Sequence, residues 1–245
     1  MKELRTLKYT ISLLFLLLCA FTGVAQTKTD SISTKSDTTK TRIKRAYGLR
    51  VGADVSKLVR SFLDDKYKGF ELVGDYRITQ NLYVAGELGT EERQTLTDYM
   101  DITTKGNYFK AGVDYNVYEN WLDMDNMIYG GFRIGASTFN HTLHSYTTYS
   151  EQHYWGDPFT SNEAQEFNGL TALWAECIAG IKVEVLNNLY LGANIQFKFL
   201  LTETVPDNFE NVYIPGFNKT YDSGRFGVGF GYNISYLIPL YKKGN

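Results

Sequence analysis

From Tyr47 onward, apolar and polar residues take turns along the chain, segment after segment. In "KVEVLNNLYLGANIQFKF" (Lys182 to Phe199), one side of an extended chain carries Leu189, Leu191, Ala193, Ile195, Phe197 and Phe199. The other side carries Tyr190, Gly192, Asn194, Gln196 and Lys198, and Asn187–Asn188 supplies a turn. A period of two is the strand period, because successive side chains leave a pleated backbone on opposite faces. The alternation recurs in about eight segments, opening near Tyr47, Phe70, Leu82, Tyr108, Ile128, Leu173, Leu189 and Arg225. The connections differ in length in a regular way. Ser56–Lys68, Thr90–Lys105, Asn140–Asn168 and Thr202–Gly224 are medium to very long, whereas Thr79–Asn81, the stretch around Trp121 and Asn187–Asn188 are short. Long external loops at one rim and short periplasmic turns at the other are the habit of bacterial transmembrane barrels. The pattern therefore predicts an all-β, closed, antiparallel up-and-down transmembrane barrel of about eight strands. An even strand number places both termini at the short-turn rim.

A soluble barrel would turn its apolar face inward, so the polar face decides the solvent. That face alternates Gly with isolated charges, as in "GLRVGAD" and "FGVGFGYN". On a water-facing strand Gly costs roughly 0.5–1 kcal/mol and gains nothing. In the crowded interior of a small barrel it makes room for side chains. The charges on this face balance by type: Arg50, Arg77, Lys110, Arg133, Lys182 and Lys198 against Asp54, Glu71, Asp75, Glu87, Asp114, Glu176 and Glu184. These residues predict an ion-paired interior, since unpaired charge there would be costly. Tyr47, Tyr76, Tyr115, Tyr236 and Tyr241 fall near strand ends on the apolar face, where they predict an interfacial girdle. The apolar side is expected to face lipid.

Composition adds three constraints. A formal net charge of -2 gives no basis for a nucleic-acid partner. Aromatics at 15%, 22 Gly and only 4 Pro suit strands better than helices, and a mean hydropathy of -0.28 is what alternating faces average to. Lys2, Arg5 and Lys8 precede "ISLLFLLLCAF" and then "TGVAQ", a secretory signal peptide over residues 1–25 with cleavage between Ala25 and Gln26. Residues 26–46 are rich in Thr, Ser and Lys and are expected to form a flexible periplasmic tether, leaving 47–245 for the barrel. Cleavage removes Cys19, so Cys177 has no partner for an intramolecular disulfide.

The segments "YKGFELVGDYRITQNLYVAGELG", "KVEVLNNLYLGANI" and "IPGFNKTYDSGRFGVGFGYNISYLIPLYKK" resemble a family of small outer-membrane proteins classed as a domain of unknown function. The resemblance covers roughly Tyr47 to Lys243. It implies a location and an architecture, and more distantly the strand count is similar to that of OmpA/OmpX-type barrels. Such barrels usually end on an aromatic residue; here Lys242, Lys243, Gly244 and Asn245 follow Tyr241.

Little in the sequence points to catalysis. His141, His144 and His153 lie in the longest connection, but two His three apart in extended chain point to opposite faces, so no metal site is expected. His144 beside Ser145, with Glu151 nearby, is a fragment of a lipid hydrolase set, yet adjacent strand residues diverge. No cofactor is expected. The leading functional expectation is a structural or surface-interaction role in the outer membrane. Its partners would be outer-membrane lipid, and another envelope protein or a surface polysaccharide. The candidate interaction loop holds Tyr146, Tyr149, Tyr154, Trp155 and Phe159, since a loop of this length is usually functional. The alternatives are an outer-leaflet lipid-modifying enzyme (hydrolase or acyltransferase) and a narrow pore.

Overall fold

A computed structural model describes residues 45–118, 125–147, 160–206, 209–219 and 224–243. The signal segment with its Ala25–Gln26 junction, and the tether up to residue 44, lie outside the described residues. Eight long strands form the wall: β1 (Arg45–Asp54), β2 (Tyr67–Arg77), β3 (Leu82–Thr97), β4 (Met100–Asn116), β5 (Met127–Thr147), β7 (Gln165–Leu186), β8 (Leu189–Glu203) and β11 (Phe226–Lys243). Three two-residue strands complete the sheet structure: β6 (Thr160–Ser161) extends the tip of β5, and β9 (Tyr213–Ile214) pairs with β10 (Asn218–Lys219). Among the described residues one helix, α1 (Val55–Leu63), follows β1 directly.

Each long strand pairs antiparallel with the next, and β1 pairs with β11 to close the ring. Register gives the stagger. One way round, Ala53 leads through Leu72, Leu88 and Phe109 to Ala136 of β5. The other way, Asp54 leads through Asn233, Gly192 and Lys182 to Met127 of the same strand. A stagger of about ten residues over eight strands tilts them by roughly 40°. Closure leaves the lipid zone almost without an open sheet edge, which unpaired backbone groups would make costly.

Burial is inverted relative to a protein in water. Phe226, Val228 and Phe230 are 72%, 67% and 69% exposed, while Lys110 and Glu176 are 1% and 0% exposed. Outward apolar positions on β11 run from Phe226 to Leu240. At about 3.3 Å per residue and a tilt near 40° they span roughly 35 Å, enough for a hydrocarbon core of about 30 Å. Among the described residues no helix is long and apolar enough to cross a membrane; the strands cross it. The chain is a transmembrane β-barrel.

Three local features depart from the pattern read in the sequence. Thr90–Lys105 is not a loop: β3 and β4 continue through it to a turn at Asp98–Tyr99, and β5 likewise runs on to Thr147. Their outward residues change there from Leu88, Phe109 and Ala136 to Thr90, Glu92, Lys105, Asn107, Thr138 and Asn140, so the lipid signal ends before the strands do. Tyr47 does not join the girdle. A β-bulge between Tyr47 and Gly48 turns it inward, where the Arg77 guanidinium lies 5.4 Å from its ring centre. Ser56–Lys68 contains α1, whose start is fixed by Asp54 accepting from the Ser56 and Lys57 amides at 2.7 and 3.2 Å. The Asn187–Asn188 turn is tight, with Asn188 at φ 66°, a left-handed position Asn tolerates.

Candidate functional site

The inward residues of the wall build two layers. The layer on the short-turn side is ionic. Arg50 Nε reaches Asp75 Oδ1 at 2.8 Å, and Asp75 Oδ2 accepts from Lys182 Nζ at 2.6 Å. Lys182 lies 3.7 Å from Asp114, which pairs with Arg133 at 2.8 Å. Arg133 approaches Glu87 at 3.6 Å, and Glu87 accepts from Lys110 at 2.8 Å. Lys110 also faces Glu71 at 3.6 Å and Glu176 at 3.7 Å, and Glu176 is 3.7 Å from Lys198. Lys57 from α1 completes the chain with Glu71 at 3.1 Å and Glu91 at 2.5 Å. Six cations face six carboxylates in one connected network, so the interior carries no net charge. Burying ions costs several kcal/mol each, and only this mutual pairing offsets it. Between Arg50, Asp75, Tyr129 and Ser235 the remaining cavity is about 20 Å³, room for roughly one water.

Aromatic side chains fill what the ions leave, and the inward glycines admit them. Trp174 lies over Gly135 and Tyr129 over Gly180, each pair facing across neighbouring strands. A Cβ on either glycine would meet the ring at 2.3 or 2.7 Å. Trp174 Nε1 then donates to Glu176 at 2.7 Å, tying the ionic layer to the layer above.

That second layer is a plug. The β8–β11 connection folds back into the barrel mouth as the β9–β10 hairpin, turning at Pro215–Phe217 with Gly216 at φ 81°. Ile214 and Phe217 are fully buried against Phe139, Leu170, Trp174 and Leu200. Glu91 fastens the hairpin: it accepts from Tyr213 Oη at 2.7 Å, Gly216 N at 2.9 Å and Tyr67 Oη at 3.1 Å, besides Lys57. Lys198 Nζ donates to the Gly216 carbonyl at 2.7 Å. Above the lipid belt His141 bridges Thr104 Oγ1 (2.7 Å) and Asn211 Oδ1 (3.0 Å). Burial there holds its imidazole pKa below the ordinary value, and the Asn211 bond only partly opposes the shift.

Of the interior residues read from the sequence, the structure brings ten together: Arg50, Glu71, Asp75, Glu87, Lys110, Asp114, Arg133, Glu176, Lys182 and Lys198. Three stand apart. Asp54 caps α1, Arg77 meets Asp125 at 3.4 Å, and Glu184 accepts from Asn188 N at 2.9 Å at the short-turn rim. Sequence reading missed Lys57 and Glu91, which lie in segments taken for loops. Of the five aromatic residues of the candidate loop, Tyr146 alone is described; it sits half-buried at the tip of β5, paired with Met100 and Ser161. Tyr149, Tyr154, Trp155 and Phe159 lie outside the described residues. His144 faces outward and bonds Thr103 Oγ1 at 2.9 Å, whereas His141 faces inward. Among the described residues no group of three or more His, Cys, Asp or Glu is placed to hold a metal.

The sequence matches the family described as a domain of unknown function (DUF6048) over residues 6–243, and the chain belongs to that family. No curated protein matches it. Similar solved structures include Ail, the attachment invasion locus protein of Yersinia pestis, at 11% identity over 78% of this chain and 96% of that one, with a TM-score of 0.37. Neisserial surface protein A (NspA) is similar at 10% identity over 79% of this chain and 96% of that one, with a TM-score of 0.39.

Proposed function

We propose that this family member is an outer-membrane surface protein, with the short-turn rim, both termini and the tether in the periplasm, that acts by presenting its external rim to a partner. The partner class is another envelope protein or a surface polysaccharide. One observation carries this reading: β3, β4 and β5 continue beyond the lipid belt with a polar outer face and an inner face packed by the plug. Extending strands that far serves neither spanning nor closure. It builds a stiff platform, and residues 148–159, which follow Thr147 in the sequence, include Tyr149, Tyr154 and Trp155. Stiff presentation lowers the ordering cost of binding, and Tyr and Trp are favoured anchors.

The geometry gives the alternatives less support. A pore needs a continuous aqueous path, and here ions and a hairpin fill the lumen. A hydrolase needs nucleophile, base and acid within reach, whereas the His144 ring is taken up by Thr103 Oγ1 at 2.9 Å. The test is to replace residues 148–159 with a short Gly-Ser linker and complement a deletion strain. The expected result is a barrel at normal surface level that no longer restores the strain's phenotype. Full restoration would move the function to the lumen or the periplasmic side.

A further inference from the structure

The wall has one place where a strand is missing. β1 pairs with β2 only over Leu49–Ala53, and with β11 only from Asn233 onward. Beyond that level Tyr67–Glu71 of β2 and Phe226–Tyr232 of β11 face each other with α1 between them. On the β2 side the helix substitutes for a strand. Ser61 Oγ accepts from Gly69 N at 2.7 Å, and its own proton has two carbonyls within reach, Lys57 O at 2.9 Å and Gly69 O at 3.1 Å. On the β11 side no such bonds form among the described residues, and a crevice of about 690 Å³ opens instead. That volume falls within the roughly 300–1,000 Å³ of small-molecule sites.

The crevice is amphipathic. Its walls are Val55, Val59 and Leu63 of α1 and Val228, Phe230 and Tyr232 of β11. These residues are contiguous with the lipid-facing surface; Phe62 and Leu63 on the outer side of α1 are 86% and 82% exposed. The inner end is polar, with Lys57, Tyr67 and Glu91, and with Arg60, Arg93 and Asn218 beside them. Lys57 and Glu91 neutralise each other at 2.5 Å. Arg60 pairs with the half-exposed Asp64 at 3.7 Å and lies over the Tyr67 ring at 4.1 Å. Arg93 rests on the Tyr213 ring at 5.2 Å and has no carboxylate partner among the described residues. An apolar slot that opens sideways into lipid and ends at the Arg93 guanidinium, with Arg60 held only by a solvent-accessible carboxylate, fits an acyl chain carrying an anion.

We propose that this crevice is a lateral site for one acyl chain of an anionic, phosphate-headed membrane lipid. The chain lies between α1 and β11, and the phosphate is held by Arg93 with Arg60. Arginine forks meet phosphate oxygens in their preferred bidentate way.

The experiment uses the full mature chain in phosphatidylcholine nanodiscs doped with phosphatidylglycerol bearing a mid-chain diazirine. After irradiation, crosslinks are mapped by peptide mass spectrometry. Crosslinks are expected to concentrate on residues 55–63 and 226–232 above the level at Phe109, an ordinary lipid-facing position. The same diazirine chain on phosphatidylcholine should show no such concentration. Arg93→Gln should lower the crevice yield about tenfold, the order of one lost charge-assisted contact, with Phe109 labelling unchanged. Val59→Trp, which fills the slot while keeping both arginines, should lower it as well, and retained heat-modifiable gel migration shows that each variant is folded. Even labelling around the perimeter, or equal enrichment with both headgroups, would overturn the proposal.

Discussion

Lys110 stands where three carboxylates converge, more than any other cation of the network pairs with among the described residues. Glu87 has Arg133 as a second partner, Glu71 has Lys57, and Glu176 has Lys198. Lys110→Met keeps most of the side-chain length but leaves net negative charge in the interior. It should destabilise the barrel by about 3–5 kcal/mol, the cost of breaking one side of a buried pair. Urea titration in detergent micelles reads this, and a loss below about 1 kcal/mol would mean that water reaches the network. His141 gives a pH dependence of known sign. Its folded pKa is depressed, so the unfolded chain binds the proton first as pH falls below the ordinary value of 6.5. The stability from the neutral imidazole is complete above that pH and declines beneath it. Faster proteolysis of residues 204–219 at pH 5 than at pH 7.5 is expected, and His141→Asn should flatten the difference.

At the scale of elements, two substitutions separate the lipid-facing wall from an ordinary surface. Ile195 lies midway along the outward row of β8 and is 53% exposed. In water Ile195→Arg would be nearly free; near a bilayer midplane it should cost about 2–4 kcal/mol, read by folding into vesicles against urea. Ser61→Val removes the hydroxyl that accepts from Gly69 N and should cost about 1–3 kcal/mol in the same assay. The elements differ in how legible they were. Strands β2, β5, β8 and β11 announce themselves because lipid on one side and ions on the other impose strict alternation. Helix α1 also left a trace. Asp54 precedes Val55, Leu58, Val59, Phe62 and Leu63, a helical period with a capping residue, but the run is short and sits among strands. The β9–β10 plug left none, because burial of Ile214 and Phe217 depends on Trp174, Phe139 and Leu200, which are remote in sequence. The interior charges were readable as a face, whereas their order of pairing came only from register.

For the whole molecule, the sealed lumen implies electrical silence. Purified protein inserted in planar bilayers should leave conductance at the lipid baseline, and resolvable channel steps would require the β9–β10 hairpin to leave the mouth. The short ladder between β1 and β2 bears on something else, the order in which the ring is put together. Strands β2 to β8 each meet a sequence neighbour along most of their length and can zip as hairpins while the chain emerges. β1 has five register pairs with β2 but ten with β11, which lies at the far end of the chain. It therefore waits for the last strand to arrive, and the loop it closes is nearly the whole domain. Until then the β1 segment and the helix behind it remain available to the machinery that inserts barrels, so the first strand made becomes the last one placed.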